Sequence, residues 1–247
     1  MQNDRKAYYN KEMSFVRYPN ALDGLRSLRS AAILEIWVLA LTAAMSLVAL
    51  FVRSDAALPV FFILAVAMLV LAIIGLVKEL IGVSRAAKDF SIFASARTAI
   101  IFSMVFSVAA AVLERVFLLH VILELAASAF ALYAAVLIFK GIIAIAQYVK
   151  NGNMVERTQK LLRFVLISGI LAIILETVAQ FLPEDFSNYA LAAVIIVLAL
   201  ALGVVKCVLI LRCYSDAVDM LDNDPSGSDG NPELRDSSAD APWSVYP

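Results

Sequence analysis

The sequence predicts an all-α, polytopic integral membrane protein, and three observations carry that prediction. The first is composition: 62% of the 247 residues are hydrophobic and the mean hydropathy is +0.87, whereas soluble domains are roughly 45–50% apolar. The second is that the apolar residues gather into six stretches of about the 20 residues needed to cross a hydrocarbon core ~30 Å thick. The third is that the basic residues fall almost entirely on alternate sides of those stretches.

The first stretch runs from Ala31 to Val52 and the second from Ala57 to Val77. The third, Thr98 to Leu113, is short and borrows Ile92, Phe93 and Ala94 from the segment before it. The fourth runs from Val116 to Phe139, the fifth from Leu161 to Leu182 and the sixth from Tyr189 to about Leu211. Backbone groups in lipid must be satisfied internally, and none of the stretches shows the ~10-residue alternation of barrel strands. All six are therefore expected to be helices.

Orientation follows from lysine and arginine. Residues 1–30 form a basic segment with Arg5, Lys6, Lys11, Arg17, Arg26 and Arg29. No small-residue cleavage site follows the first stretch, which reads as a retained anchor. Of the 20 basic residues, all but Arg53 and Arg115 lie on one side, and the positive-inside rule makes that side cytoplasmic. Both termini are expected there, with a bacterial inner membrane as the host. Basic connectors on this face suit anionic lipid headgroups.

The spacing of charges suggests an internal threefold repeat of antiparallel hairpins. Lys78 and Lys140 are 62 residues apart, as are Lys88 and Lys150, and Glu114 and Glu176; Lys206 follows Lys140 by 66. The segment from Glu79 to Arg97 is expected to continue the second helix and turn near Lys88-Asp89. Lys150-Asn151-Gly152-Asn153 has turn chemistry. Residues 31–214 thus form the transmembrane domain. Residues 215–247 hold eight acidic residues, four prolines and one arginine; this composition predicts a disordered cytoplasmic tail.

Several function classes are excluded. One histidine and two cysteines offer no Cys/His metal site and no disulfide framework. Hydrolase, metalloprotease and P-loop motifs are absent. No enzyme activity, cofactor, metal or nucleic-acid partner is expected. The remaining sharp features are ionisable residues within the spans, where charge is costly and usually functional. Glu124 lies deep in the fourth stretch, and His120 stands one turn away on the same face. Ala127, Ser128, Ala131 and Ala135 continue that face as a stripe of small residues, which lets another helix approach. Glu114 and Glu176, at the outer ends of the third and fifth stretches, complete a candidate intramembrane polar site with His120 and Glu124. Its alternative is structural, with Glu114 and Glu176 reaching outer water and His120 bonding Glu124 as a packing pair. Lys78, Lys140 and Lys206 suit snorkelling to headgroups, and Glu35, near the inner end of the first stretch, is expected to pair with one of them or equally with Arg163.

Two functions fit. One is a small-solute or cation transporter, or its membrane subunit. The other is a non-transporting scaffold, accessory or regulatory subunit, alone or in a homo- or hetero-oligomer. A polar cavity reaching Glu124 would favour the first, and a solid apolar bundle the second.

Overall fold

A computed structural model describes residues 18–51, 58–180 and 189–222, with side chains described over 18–46, 59–174, 177 and 201–222. Residues 1–17, both predicted outer loops around Arg53 and Pro183, and residues 223–247 lie outside the described residues. Six α-helices follow one another: α1 Pro19–Phe51, α2 Leu58–Ala86, α3 Ile92–Val112, α4 Phe117–Tyr148, α5 Gly152–Gln180 and α6 Tyr189–Asp222. Among the described residues four are long and apolar enough to span a bilayer: Pro19–Ser46, Pro59–Ala86, Ile92–Val112 and Phe117–Tyr148. Their outer faces suit lipid. On α2, Phe62, Ile63, Val66, Leu69, Val70, Ile73, Ile74 and Val77 are exposed at the three- and four-residue spacing of one helical face. The chain is a membrane protein built of helices.

The helices close into a ring. α1 packs most extensively on α2, and α3 on α4; α6 returns to α1, and α5 lies against α4. Each main pair runs antiparallel, because contacts ascend one helix as they descend the other. For α1 and α2 these are Gly24 on Gly82, Leu34 beside Gly75, and Thr42 within 4.0 Å of Met68. For α3 and α4 they are Phe93 on Gly141, Ser103 Oγ donating to the Ala127 carbonyl at 2.9 Å, and the His120 ring on the Ala110 carbonyl.

The densest core sits at one end of the ring. It joins Leu22, Leu25 and Leu28 of α1 to Val83, Phe90, Phe93, Phe139, Ile142, Ile145 and, on α6, Ala217, Val218 and Leu221. Two glycines make this possible. A Cβ on Gly24 would come within 2.5 Å of the Gly82 carbonyl oxygen, and one on Gly82 within 2.8 Å of the Gly24 oxygen, so only glycine lets the backbones meet. The start of α1 is capped from elsewhere in the chain. Asp89 accepts from the Ala21 amide at 2.8 Å and from Asn20 Nδ2 at 2.9 Å, placing a carboxylate at a helix N-terminus. Tyr18 lies between Phe90 and Tyr148, tilted 52° to the first ring and edge-on to the second. Arg26 grips Asp222 with one nitrogen 2.8 and 3.0 Å from the two oxygens.

Two boundaries differ from the sequence reading. The basic segment 1–30 is helical from Pro19, because Leu22, Leu25 and Leu28 form a buried stripe that Asp23, Arg26 and Arg29 dilute in any hydropathy average. The acidic tail does not start at Ser215: α6 continues to Asp222 with Ala217, Val218 and Leu221 buried. Its aspartates lie between these positions. The third helix does take in Ile92, Phe93 and Ala94.

Candidate functional site

The end of the ring that holds the dense core is packed, but the middle is not filled. Small residues face inward from several helices: Ala31 and Ala32 of α1, Ala72 and Gly75 of α2, Ala131, Ala134 and Ala135 of α4, Gly169 and Ala172 of α5, and Gly203 of α6. Side chains this short cannot meet across a ring of helices. They leave a cavity of about 660 Å³, within the roughly 300–1,000 Å³ of small-molecule sites. Phe139, Ile138, Leu28 and Tyr214 border it where it meets the dense core.

Charge is concentrated in this wall. Glu35 of α1, Glu79 of α2 and Lys206 of α6 all line the cavity, with Ser103, Ser128, Cys207 and Tyr214 as further polar groups. Glu35 lies within electrostatic reach of Lys206 and Glu79, and Tyr214 within reach of both carboxylates. The Cys207 thiol donates to Glu35 Oε2 at 3.8 Å. Two carboxyls share the wall with one ammonium, so Lys206 can pair with only one of them at a time. A cationic group entering the cavity would find the other as a partner. Among the described residues no three His, Cys, Asp or Glu side chains are grouped to hold a metal ion.

The residues singled out from the sequence occupy a different place. His120 and Glu124 do meet, with Nε2 3.3 Å from Oε2 on side chains 26% and 36% exposed. They stand beside the α3–α4 turn, where His120 Nδ1 is 3.0 Å from the Ala110 carbonyl oxygen. A carbonyl only accepts, so Nδ1 carries the hydrogen, and Nε2 is left facing the carboxyl. The ring thereby ties the last turn of α3 to α4 and satisfies one end carbonyl of the helix. Neither residue lines the cavity; its wall comes within one turn of Glu124, at Ser128. Glu114 is exposed in the turn itself. Glu176 falls on α5, and its side chain lies outside the described residues. The three lysines of the proposed repeat differ in setting: Lys206 lines the cavity, Lys78 is half-buried with its carbonyl accepting from Ser27 at 2.8 Å, and Lys140 is exposed.

Glu79 is the residue that sequence reasoning missed. It follows Lys78 at the end of an apolar run and so reads as the start of a connector. The available signal was Leu80, Ile81 and Val83 just beyond it, which carry the helix on to Ala86. Of the partners the sequence offers Glu35, the three lysines and Arg163, it is Lys206 that stands within electrostatic reach. Comparisons with family models, with curated proteins and with solved structures each return no match.

Proposed function

We propose that this is a six-span inner-membrane protein of three antiparallel hairpins, both termini cytoplasmic, that binds a small cationic or zwitterionic solute in its central cavity and transports it. The carrying observation is the 660 Å³ cavity lined by Glu35, Glu79 and Lys206. Ionisable groups within membrane spans are expensive and usually mark a solute or ion pathway. Three from separate helices bordering one cavity, with Ala and Gly walls around them, suit an amine headgroup on a compact body. No catalytic step is assigned to these residues. The His120–Glu124 pair is proposed as a support of the α3–α4 turn, which holds Ser103 and Ser128 at the cavity wall.

The test is a thermal-shift series on the purified protein in detergent, with small primary amines, quaternary amines and amino acids as probes. At 100 times its dissociation constant a ligand adds about 2.7 kcal/mol of stability, so a bound class raises the melting midpoint clearly. Glu35→Gln and Glu79→Gln are expected to lose that shift while folding normally. Ala135→Leu, which narrows the cavity, is expected to weaken it and to melt no lower than the parent. An unmoved midpoint across the series, together with a higher midpoint for Ala135→Leu, would mark the cavity as structural. It would turn the assignment toward a scaffold, accessory or regulatory subunit.

A further inference from the structure

A second cavity, of about 300 Å³, lies in the seam between α5 and α6 at the densely packed end. These neighbours touch only lightly among the described residues, so the seam stays open as a cleft. α5 contributes Arg157 and Leu161, and α6 contributes Leu209, Arg212 and Asp216. Two guanidinium groups from separate helices therefore border one space. Arg157 is partly engaged, with Asp216 Oδ2 at 4.0 Å, the limit of an ion pair. Arg212 is exposed, and among the described residues no carboxylate lies within that limit of it. The nearby acid Glu156 is already taken, since Lys160 stands 2.7 Å from it and holds its carboxyl below the usual carboxylate range by that hydrogen bond. The cleft thus keeps one unbalanced positive charge.

The wall changes character along the helix axes. One turn from the arginines, Leu161 and Leu209 line the same cleft. Val205 and Leu202 continue the α6 surface into the span, 50% and 38% exposed. A pair of arginine forks above an exposed apolar wall, at the edge of a membrane span, matches an amphiphile with an anionic head. Guanidinium groups bind phosphate oxygens in a planar, two-point geometry that a hydrated ammonium lacks. We propose that the α5–α6 cleft binds the phosphate of an anionic phospholipid of the phosphatidylglycerol type, with its acyl chains lying along Leu161 and Leu209. The site is separate from the central cavity and holds whether or not that cavity carries a solute.

Near an anionic surface each arginine is worth about 1 kcal/mol, so two arginines correspond to about a thirtyfold preference, at 1.36 kcal/mol per factor of ten. The test is native mass spectrometry of the full chain in detergent with equal amounts of dioleoylphosphatidylglycerol and dioleoylphosphatidylcholine. The parent protein is expected to retain phosphatidylglycerol selectively. Arg157→Gln/Arg212→Gln is expected to lose about thirtyfold of that preference, with helix content unchanged by circular dichroism. Arg85→Gln/Lys88→Gln, which removes charge from the end of α2 and the turn after it, is expected to keep it. Asp216→Asn frees Arg157 from its competing carboxylate and is expected to strengthen retention, which decides the matter even if the double arginine variant does not fold. An equal loss in the Arg85→Gln/Lys88→Gln variant would show diffuse attraction and overturn the site. Displacement of the lipid by inorganic phosphate in large excess would make the cleft a free-phosphate site and overturn it too.

Discussion

Lys150 turns α4 into α5 with a φ of 60°, a left-handed conformation that glycine adopts at little cost and a side-chain-bearing residue does not. Around it the Lys150 amide donates to the Gln147 carbonyl at 3.0 Å and the Asn151 amide to Ala146 at 2.8 Å, while Asn151 Oδ1 accepts from the Met154 amide at 3.1 Å to start the next helix. Lys150→Gly relieves the strain without disturbing these bonds. It is expected to stabilise the protein by about 0.5–1 kcal/mol, read as a higher melting midpoint in detergent. The turn itself was legible in Lys150-Asn151-Gly152-Asn153, but not its geometry: the residue in the left-handed conformation is the lysine, since Asn151 is needed as the cap and Gly152 begins α5. His120 and Glu124 were legible for a similar reason, because a four-residue interval on a helix fixes proximity. The clustering of Glu35, Glu79 and Lys206 was not, because it depends on how three helices are rotated in the ring, and no local interval records that.

At the scale of the helix, amphipathic ends proved harder to read than apolar middles. Tyr214, Ala217, Val218 and Leu221 recur at three- and four-residue intervals and are buried, while Asp216, Asp219 and Asp222 occupy the positions between. Counting acids from Ser215 onward averaged the stripe away. The same dilution hid Leu22, Leu25 and Leu28 among the charges that open α1. The corrected boundary has a direct consequence. A chain ending at Ser215 loses Val218 and Leu221 from the core and Asp222 from Arg26. Burial of two such side chains is worth about 3–6 kcal/mol, so this truncation is expected to lower the melting midpoint sharply in size-exclusion thermostability measurements. A chain ending at Asn223 keeps every buried position of α6 and is expected to melt like the full chain. Equal behaviour of the two truncations would mean that the end of α6 contributes nothing to the core.

At the scale of the whole molecule the two ends of the ring differ. Among the described residues the dense core, the glycine crossing at Gly24 and Gly82 and most of the basic residues share one end, the end that the proposed topology puts in the cytoplasm. Single cysteines at Ser54 and Ser187 are expected to react with an impermeant thiol reagent applied to intact cells, and one at Asn153 is not; the native Cys207 and Cys213 are buried. The opposite labelling pattern would invert the topology. Among the described residues the six helices and the antiparallel order of the α1–α2 and α3–α4 pairs were legible from hydropathy and charge. The cavity was not, because it arises from where six helices fail to touch. The cap on α1 also sets a clock. The Ala21 amide and its acceptor Asp89 are 68 residues apart, and Arg26 and Asp222 are 196 apart. At about 5–20 residues per second of synthesis, the carboxylate that caps α1 is made roughly 3–14 s after the helix it completes, and the partner of Arg26 about 10–40 s after. Until Asp222 is made, Arg26 lacks that partner, so the end that is most densely packed in the finished protein is the last to be closed on the ribosome.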